Sequence, residues 1–428
     1  MNKLRTTIAE ISRLLLALTF LFSGFVKAVD PMGGAIKIGE YFGIFGLSVS
    51  FPLTVAAAMA LASFEFFLGA IALMGVYKKC SSRLFLIVMV FMTSITLFLA
   101  ISNPVKDCGC FGDALKLTNW QTFGKNIILL LFSLSLFFDY HRVRSLFSVS
   151  RAWFPTALSV VGILLFSIVN YRYLPMIDFR PFKVGSRLDA IVSIPPGEKA
   201  DEYEFVFVYE QKGERREFTL DALPDSTWTF VERHERLVSK GYQPPVPDFS
   251  VFDPHGDDIT EQILHMGGAS ADSSDKGLIL LISPNLSQIS ETTFDLLNRL
   301  YTTAQSLGAN FCLLSGSDTE VIDSWRNKAS ARYPIYIADA TILKTMARDN
   351  PSILFVSQGI ITGKYAYRSL PEANGLSAFV ENHLQADIES IDLPKPWGRL
   401  SVLSAWVALL IFASVGRLFR RKPSKTEH

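Results

Sequence analysis

Cysteine is scarce in this chain: four among 428 residues, too few for a disulfide framework to hold a fold of this length. Charge of one sign is lacking as well. The formal net charge is +1, which gives no reason to expect a nucleic-acid surface. Polar residues are thin over long stretches. With 34 Phe and 49% hydrophobic residues, the chain is too apolar for one soluble globule, and its length leaves room for two or three domains. No small-residue cleavage pattern follows the first apolar run, although Lys3 and Arg5 precede it. Further runs come directly after it, so it reads as a retained anchor and not as a signal peptide.

What is present is a set of six long, charge-poor runs, near 8–28, 52–77, 84–102, 120–138, 153–174 and 399–416. Each is close to the roughly 20 residues that a helix needs to cross a bilayer. The fourth is the weakest, because Gln121, Lys125 and Asn126 interrupt it; a re-entrant or interfacial helix is the alternative there. Basic clusters fall at alternate ends of the runs: Lys3, Arg5 and Arg13; Lys78, Lys79 and Arg83; Arg142, Arg144 and Arg151; and Arg417, Arg420, Arg421, Lys422 and Lys425. The positive-inside rule puts all four on the cytoplasmic side. Both termini are then expected in the cytoplasm, with residues from about 175 to 396 facing outward.

The outward stretch has a soluble composition. Glu204–Glu210 and Glu217–Leu220 flank a turn at Gln211-Lys212-Gly213-Glu214 and predict a hairpin. Pro244, Pro245 and Pro247 mark a boundary. From Asp248 strands and helices alternate: a strand at Gly277–Ser283, a helical stripe through Phe294, Leu297, Leu300, Ala304 and Leu307, and a strand at Asn310–Leu314. Ser317 and Glu320 predict a capping box for the next helix. A strand at Pro334–Ala338, a short helix, a hairpin of Ser352–Val356 with Ile360–Tyr367 and a helix near 373–385 complete an α/β pattern. This order resembles the thioredoxin fold of TlpA-like and peroxiredoxin-like domains over 246–386, with Asn350-Pro351 where that fold places a cis-proline. It departs at the family's Cys-x-x-Cys, where this chain reads Ser283-Pro284-Asn285-Leu286. Dithiol exchange is excluded at that position, and the domain reads as a binding or docking module. Cys312, inside a strand, reads as an inert core thiol.

The most informative short segment is Asn103 to Asp113, which contains Cys108-Gly109-Cys110. By the topology above it lies outside, where disulfides persist. Gly109 tolerates backbone angles that let the two cysteines approach. A disulfide between them closes a very small ring, and strained, exposed disulfides are the labile and oxidising ones. Lys106 favours a thiolate here, while Asp107 and Asp113 oppose it. A static disulfide and a two-thiolate site for a soft metal are the alternatives, the latter short of ligands. Glu65 stands out midway along the second run, since an ionisable group there usually faces a partner or a cavity. Pairing with Lys125, a proton-relay role, or a protonated carboxyl bonded to a neighbouring helix all fit. Lys27, near a helix end, reads as a snorkelling side chain.

At Phe22-Ser23-Gly24-Phe25-Val26-Lys27, at Glu65 with Gly69 and Gly75, and at Asp107-Cys-Gly-Cys-Phe-Gly112, the first 140 residues resemble the DoxX and MauE group of membrane proteins. That resemblance implies a four-helix bundle in a bacterial inner membrane and periplasmic thiol–disulfide chemistry with Cys108 and Cys110 as the redox pair. Related bundles of the vitamin K epoxide reductase and DsbB type use quinone, which makes quinone a candidate cofactor here, although nothing in the sequence shows that it binds. A DsbB-like relay needs a second outward cysteine pair, and this chain has none: Cys80 lies beside Lys79 on the cytoplasmic side.

The expected fold class is therefore a multi-domain membrane protein, an α-helical transmembrane bundle of about six spans plus a periplasmic α/β thioredoxin-like domain. The expected parts are a membrane bundle (1–140), a fifth span (141–175), a small β-rich spacer (176–245), the degenerate thioredoxin-like domain (246–390), and a sixth span with a basic tail (391–428). The expected function is assistance to thiol–disulfide exchange in exported proteins through Cys108, Cys110 and Glu65. The partners are exported-protein thiols and membrane lipid, with no metal and no nucleic acid. The rival is a non-enzymatic scaffold or receptor whose outward domain binds a partner. A transporter is a weaker third choice, because the spans hold few polar groups beyond Glu65 and Lys125.

Overall fold

The computed structural model describes residues 2–105, 108–194, 197–211, 213–268 and 277–385. The sixth apolar run, the basic tail, Lys106 and Asp107 lie outside the described residues. The described chain falls into two compact units, one reaching Arg180 and one starting at Pro181.

The first unit is helical: α1 (Asn2–Val29), α2 (Pro31–Ile44), α3 (Phe51–Met74), α4 (Lys78–Ser102), α5 (Asn119–Asp139) and α6 (Val149–Arg172). All but α2 are long and apolar enough to cross a membrane. The fourth run is a continuous helix of 21 residues. Thr118 and Gln121 open it with a capping box, the Thr118 hydroxyl accepting from the Gln121 N–H and the Gln121 amide oxygen from the Thr118 N–H. Residues 31–44 lie between the first two apolar runs, yet Asp30 accepts from the Gly33 N–H at 2.9 Å and Pro31 fixes the first turn, so α2 forms.

Helices α1 and α3 cross closely because two glycines meet the opposing backbone. A Cβ on Gly24 would lie 2.5 Å from the Phe66 nitrogen, and one on Gly69 would lie 2.7 Å from the Leu21 nitrogen. Small residues at such crossings are how membrane helices gain contact without a hydrophobic driving force between them. At the end of the bundle where α1 begins and α3 finishes, buried Arg13 pairs with Glu10 at 2.8 Å. Its guanidinium also donates to the carbonyls of Ala72 and Leu73. Glu10 in turn accepts from the Arg144 backbone N–H at 2.7 Å.

The second unit begins with α7 (Leu188–Val192) and a three-stranded antiparallel sheet, β1 (Glu202–Gln211), β2 (Glu214–Thr219) and β3 (Thr229–Ser239), in the order β2-β1-β3. The hairpin expected at 204–220 is β1 and β2. The third strand was not foreseen. Then follow β4 (Val251–Phe252), α8 (Thr260–Met266), β5 (Leu278–Ser283), α9 (Phe294–Leu307), β6 (Asn310–Ser315), α10 (Thr319–Ala329), β7 (Ile335–Ala338), α11 (Ala340–Met346), β8 (Ser352–Ser357), β9 (Ile360–Ala366) and α12 (Ala373–Leu384). They build a mixed sheet ordered β4-β7-β6-β5-β8-β9, with β5–β6 and β6–β7 parallel and the other pairs antiparallel. Every residue of β5 is buried, as its continuous apolar run requires of a central strand covered on both faces. The Asn350-Pro351 bond is cis. The expected capping box at Ser317 and Glu320 is absent. Asp318 occupies the cap position of α10, and the Ser317 hydroxyl accepts from the Leu286 N–H at 3.0 Å.

Candidate functional site

The Cys-Gly-Cys segment sits in the connection from α4 to α5, and local chemistry fixes its path. Helix α4 ends at Asn103, in the left-handed region. Buried Asn119 then ties the two ends of the connection together, its amide donating to the Asn103 side-chain oxygen at 2.9 Å and the Val105 carbonyl at 2.8 Å. Gly109 has φ of +63° and Gly112 +50°, and the Gly112 N–H closes the turn on the Gly109 carbonyl. Such angles are open to glycine and costly for other residues, so the turn folds the Cys108 and Cys110 side chains toward each other.

The two sulfurs are 2.7 Å apart and not bonded. Their surroundings differ. Cys110 is 8% exposed, whereas Cys108 is half-buried. Once ionised, Cys108 is held by the Cys110 thiol, the Thr122 hydroxyl at 3.6 Å and the Cys110 backbone N–H at 3.3 Å. The Cys110 contact contributes most, burial works against it, and the Lys125 charge adds a smaller pull; together they bring the Cys108 thiol down to about 6. The same contact and burial push the Cys110 thiol well above its ordinary value. The pair therefore has one ready nucleophile and one protonated donor.

The backbone of the turn is held from below by α1 and α2. Tyr41 of α2 donates to the Cys108 carbonyl at 2.6 Å. Ser23 and Lys27 of α1 both donate to the Cys110 carbonyl at 2.8 Å. Lys27 also donates to Ser23 and forms an ion pair of 2.7 Å with Glu65 of α3. The three residues that sequence reading singled out, Cys108, Cys110 and Glu65, thus come together through Lys27, which that reading dismissed as snorkelling. The suggested partner of Glu65 was Lys125. That side chain instead lies over the Phe111 ring, 4.2 Å from its centre. Ser23, Lys27, Glu65, Cys110, Lys125 and Asn126 all line one cavity of about 40 Å³. At roughly 10–15 Å³ per water it has room for a few waters.

Asp113, expected to oppose a thiolate, is engaged with Lys116 at 3.7 Å. Cys80 is exposed on α4, remote in sequence from the pair. Cys312 is buried in β6, and burial pushes its thiol up to about 12, as an inert core cysteine requires. Among the described residues no three His, Cys, Asp or Glu side chains gather as a metal site would require.

In the second unit, the loop after β5 is tied to the residue before Pro351 by a polar chain. Ser283 donates to the Asn350 amide oxygen at 2.7 Å, and the Asn350 amide donates to the Asn285 carbonyl at 2.7 Å. Next to them, burial raises the Asp349 carboxyl, opposed by the Arg368 guanidinium 2.9 Å away.

Residues 5–139 match the family model of methylamine utilisation protein MauE, and residues 203–240 match a domain of unknown function (DUF8463). No curated protein and no solved structure matches the chain. The matched segment spans α1 to α5, the helices that hold Cys108, Cys110, Lys27 and Glu65; this part of the chain is a MauE-like membrane domain.

Proposed function

We propose that the chain is a membrane thiol–disulfide exchange protein that assists the maturation of exported proteins through Cys108 and Cys110. The observation that carries this reading is the asymmetric pair: two sulfurs 2.7 Å apart, one accessible and one buried. Accessibility is where a client thiol attacks, and a low thiol pKa makes a sulfur a good nucleophile or leaving group. In this reading the turn faces the outer side of a bacterial inner membrane, and quinone or a second dithiol protein exchanges electrons with the pair. The same reading takes the second unit as thioredoxin-like, which the run β7-β6-β5-β8-β9 in its sheet supports, and gives it the role of holding the client. The first test is the thiol state of the pair in intact cells, acid-quenched and labelled with a maleimide before and after reduction, against Cys108→Ser and Cys110→Ser chains. A mixed population that follows the respiratory state is expected. A pair oxidised under every condition would make it a structural disulfide.

A scaffold or receptor role is the second reading. It is favoured by the Ser283–Asn350–Asn285 network, which fills the usual dithiol position with satisfied hydrogen bonds. Full complementation by Cys108→Ser would decide for it.

A further inference from the structure

We propose that Lys125 is the counter-cation of the Cys108–Cys110 pair, a positioning residue whose charge is matched only when the disulfide is open. The proposal rests on the exchange reading above and assigns a role to a residue which that reading does not use.

Lys125 lies in the second turn of α5, half-buried within an apolar helix. Lys27 has its anion in Glu65 at 2.7 Å. Among the described residues Lys125 has no carboxylate within ion-pair distance; its ammonium rests on the Phe111 ring and on the cavity it shares with Cys110. Among the described residues the cavity wall thus carries two cations, Lys27 and Lys125, and one anion, Glu65. An ammonium with no described carboxylate beside it in a membrane helix is costly, and a ring face recovers only part of that cost. A disulfide has no charge to offer. A reduced pair with one thiolate has a single negative charge and brings the site to neutrality. Lys125 favours the ionised form of both sulfurs, the first to leave and the second.

The step balances without a further reactant. A client thiolate attacks Cys108 Sγ, the Cys108–Cys110 bond breaks, and its electron pair goes to Cys110 Sγ, which takes one client proton. The second client thiolate attacks the client sulfur of the mixed disulfide, and Cys108 leaves as the thiolate, two residues before the Cys110 that shares a cavity with Lys125. Two electrons pass from a client dithiol to the pair, and the second proton goes to water. The reverse sequence reduces a client disulfide.

The test uses the full chain in detergent with Cys80→Ser, which removes the exposed thiol. The reduced protein is alkylated with iodoacetamide from pH 5 to 9, and Cys108 is followed by mass spectrometry. Lys125→Gln is expected to raise the midpoint of Cys108 alkylation and to slow alkylation at pH 5. Lys125→Arg should restore the rate to within about twofold. Lys125→Met keeps the apolar stem against Phe111 and is read in the same way if Gln does not fold. In glutathione buffers the neutral variants should need a higher ratio of squared thiol to disulfide concentration than the parent for half-reduction. A Gln or Met profile that superimposes on the parent overturns the proposal, as does an Arg variant that behaves like Gln. A parent pair that never equilibrates with glutathione overturns the exchange reading instead.

Discussion

Replacing Lys27 by Met should destabilise the membrane unit by about 3–5 kcal/mol, the usual cost of removing one member of a buried ion pair. The figure follows from what the ammonium holds. It meets Glu65 at 2.7 Å, Ser23 at 2.7 Å and the Cys110 carbonyl at 2.8 Å, with the lysine 12% and the glutamate 9% exposed. Ser23 still donates to the Cys110 carbonyl in the variant, so the cost is dominated by the carboxylate left without a cation. A second change, Glu65→Gln, removes that orphan charge. The double variant should therefore be more stable than Lys27→Met alone, with a coupling of about 2–3 kcal/mol. Unfolding in mixed micelles at rising SDS measures all four chains, and alkylation of Cys110 reports whether its turn has loosened. A double variant whose cost equals or exceeds the sum of the two single costs would refute the reasoning, because the pair would then be two independent contacts.

Three further outcomes are expected. Alkylation of Cys108 should rise from pH 5 to 7 and level off, because its thiol ionises as pH passes about 6, whereas an ordinary thiol is still gaining near 8.5; Cys110 should stay unreactive throughout. Gly69→Ala should cost about 1–3 kcal/mol in the same SDS titration, since its methyl would meet the α1 backbone at 2.7 Å. Tyr333→Phe should leave stability unchanged or raise it by about 1 kcal/mol, because its buried hydroxyl has no hydrogen-bond partner; hydrogen exchange in β6 and β7 would reveal the change.

The five long apolar helices of the first unit were legible because apolar runs of membrane length have few alternative fates. The cysteine pair was legible because glycine between two thiols limits where they can go. Other features depended on distant partners. Lys27 alone looks like any lysine near a helix end, and its meaning comes from a glutamate 38 residues onward. Helix α2 hid behind Gly33, Gly34, Gly39 and Gly43, although Asp30-Pro31 was an available start signal. Strand β3 is almost wholly exposed and rich in charge, so no apolar alternation marks it. The false capping box at Ser317 has the right local pattern, but a tertiary contact with Leu286 claims the hydroxyl.

The polar side chains of α1 also bear on how the protein is made. Arg13 is satisfied by the carbonyls of Ala72 and Leu73, Lys27 by Glu65, and Glu10 in part by the Arg144 N–H. None of these partners has left the ribosome when α1 has. Arg13 and Glu10 already pair within α1. It is therefore the Lys27 ammonium and the second arm of the Arg13 guanidinium that must wait in a hydrated or protein-lined place until roughly the first three helices have been synthesised. The entry of α1 into lipid is thus an assembly step with α3, and a chain arrested before Glu65 should keep α1 beside the insertion machinery.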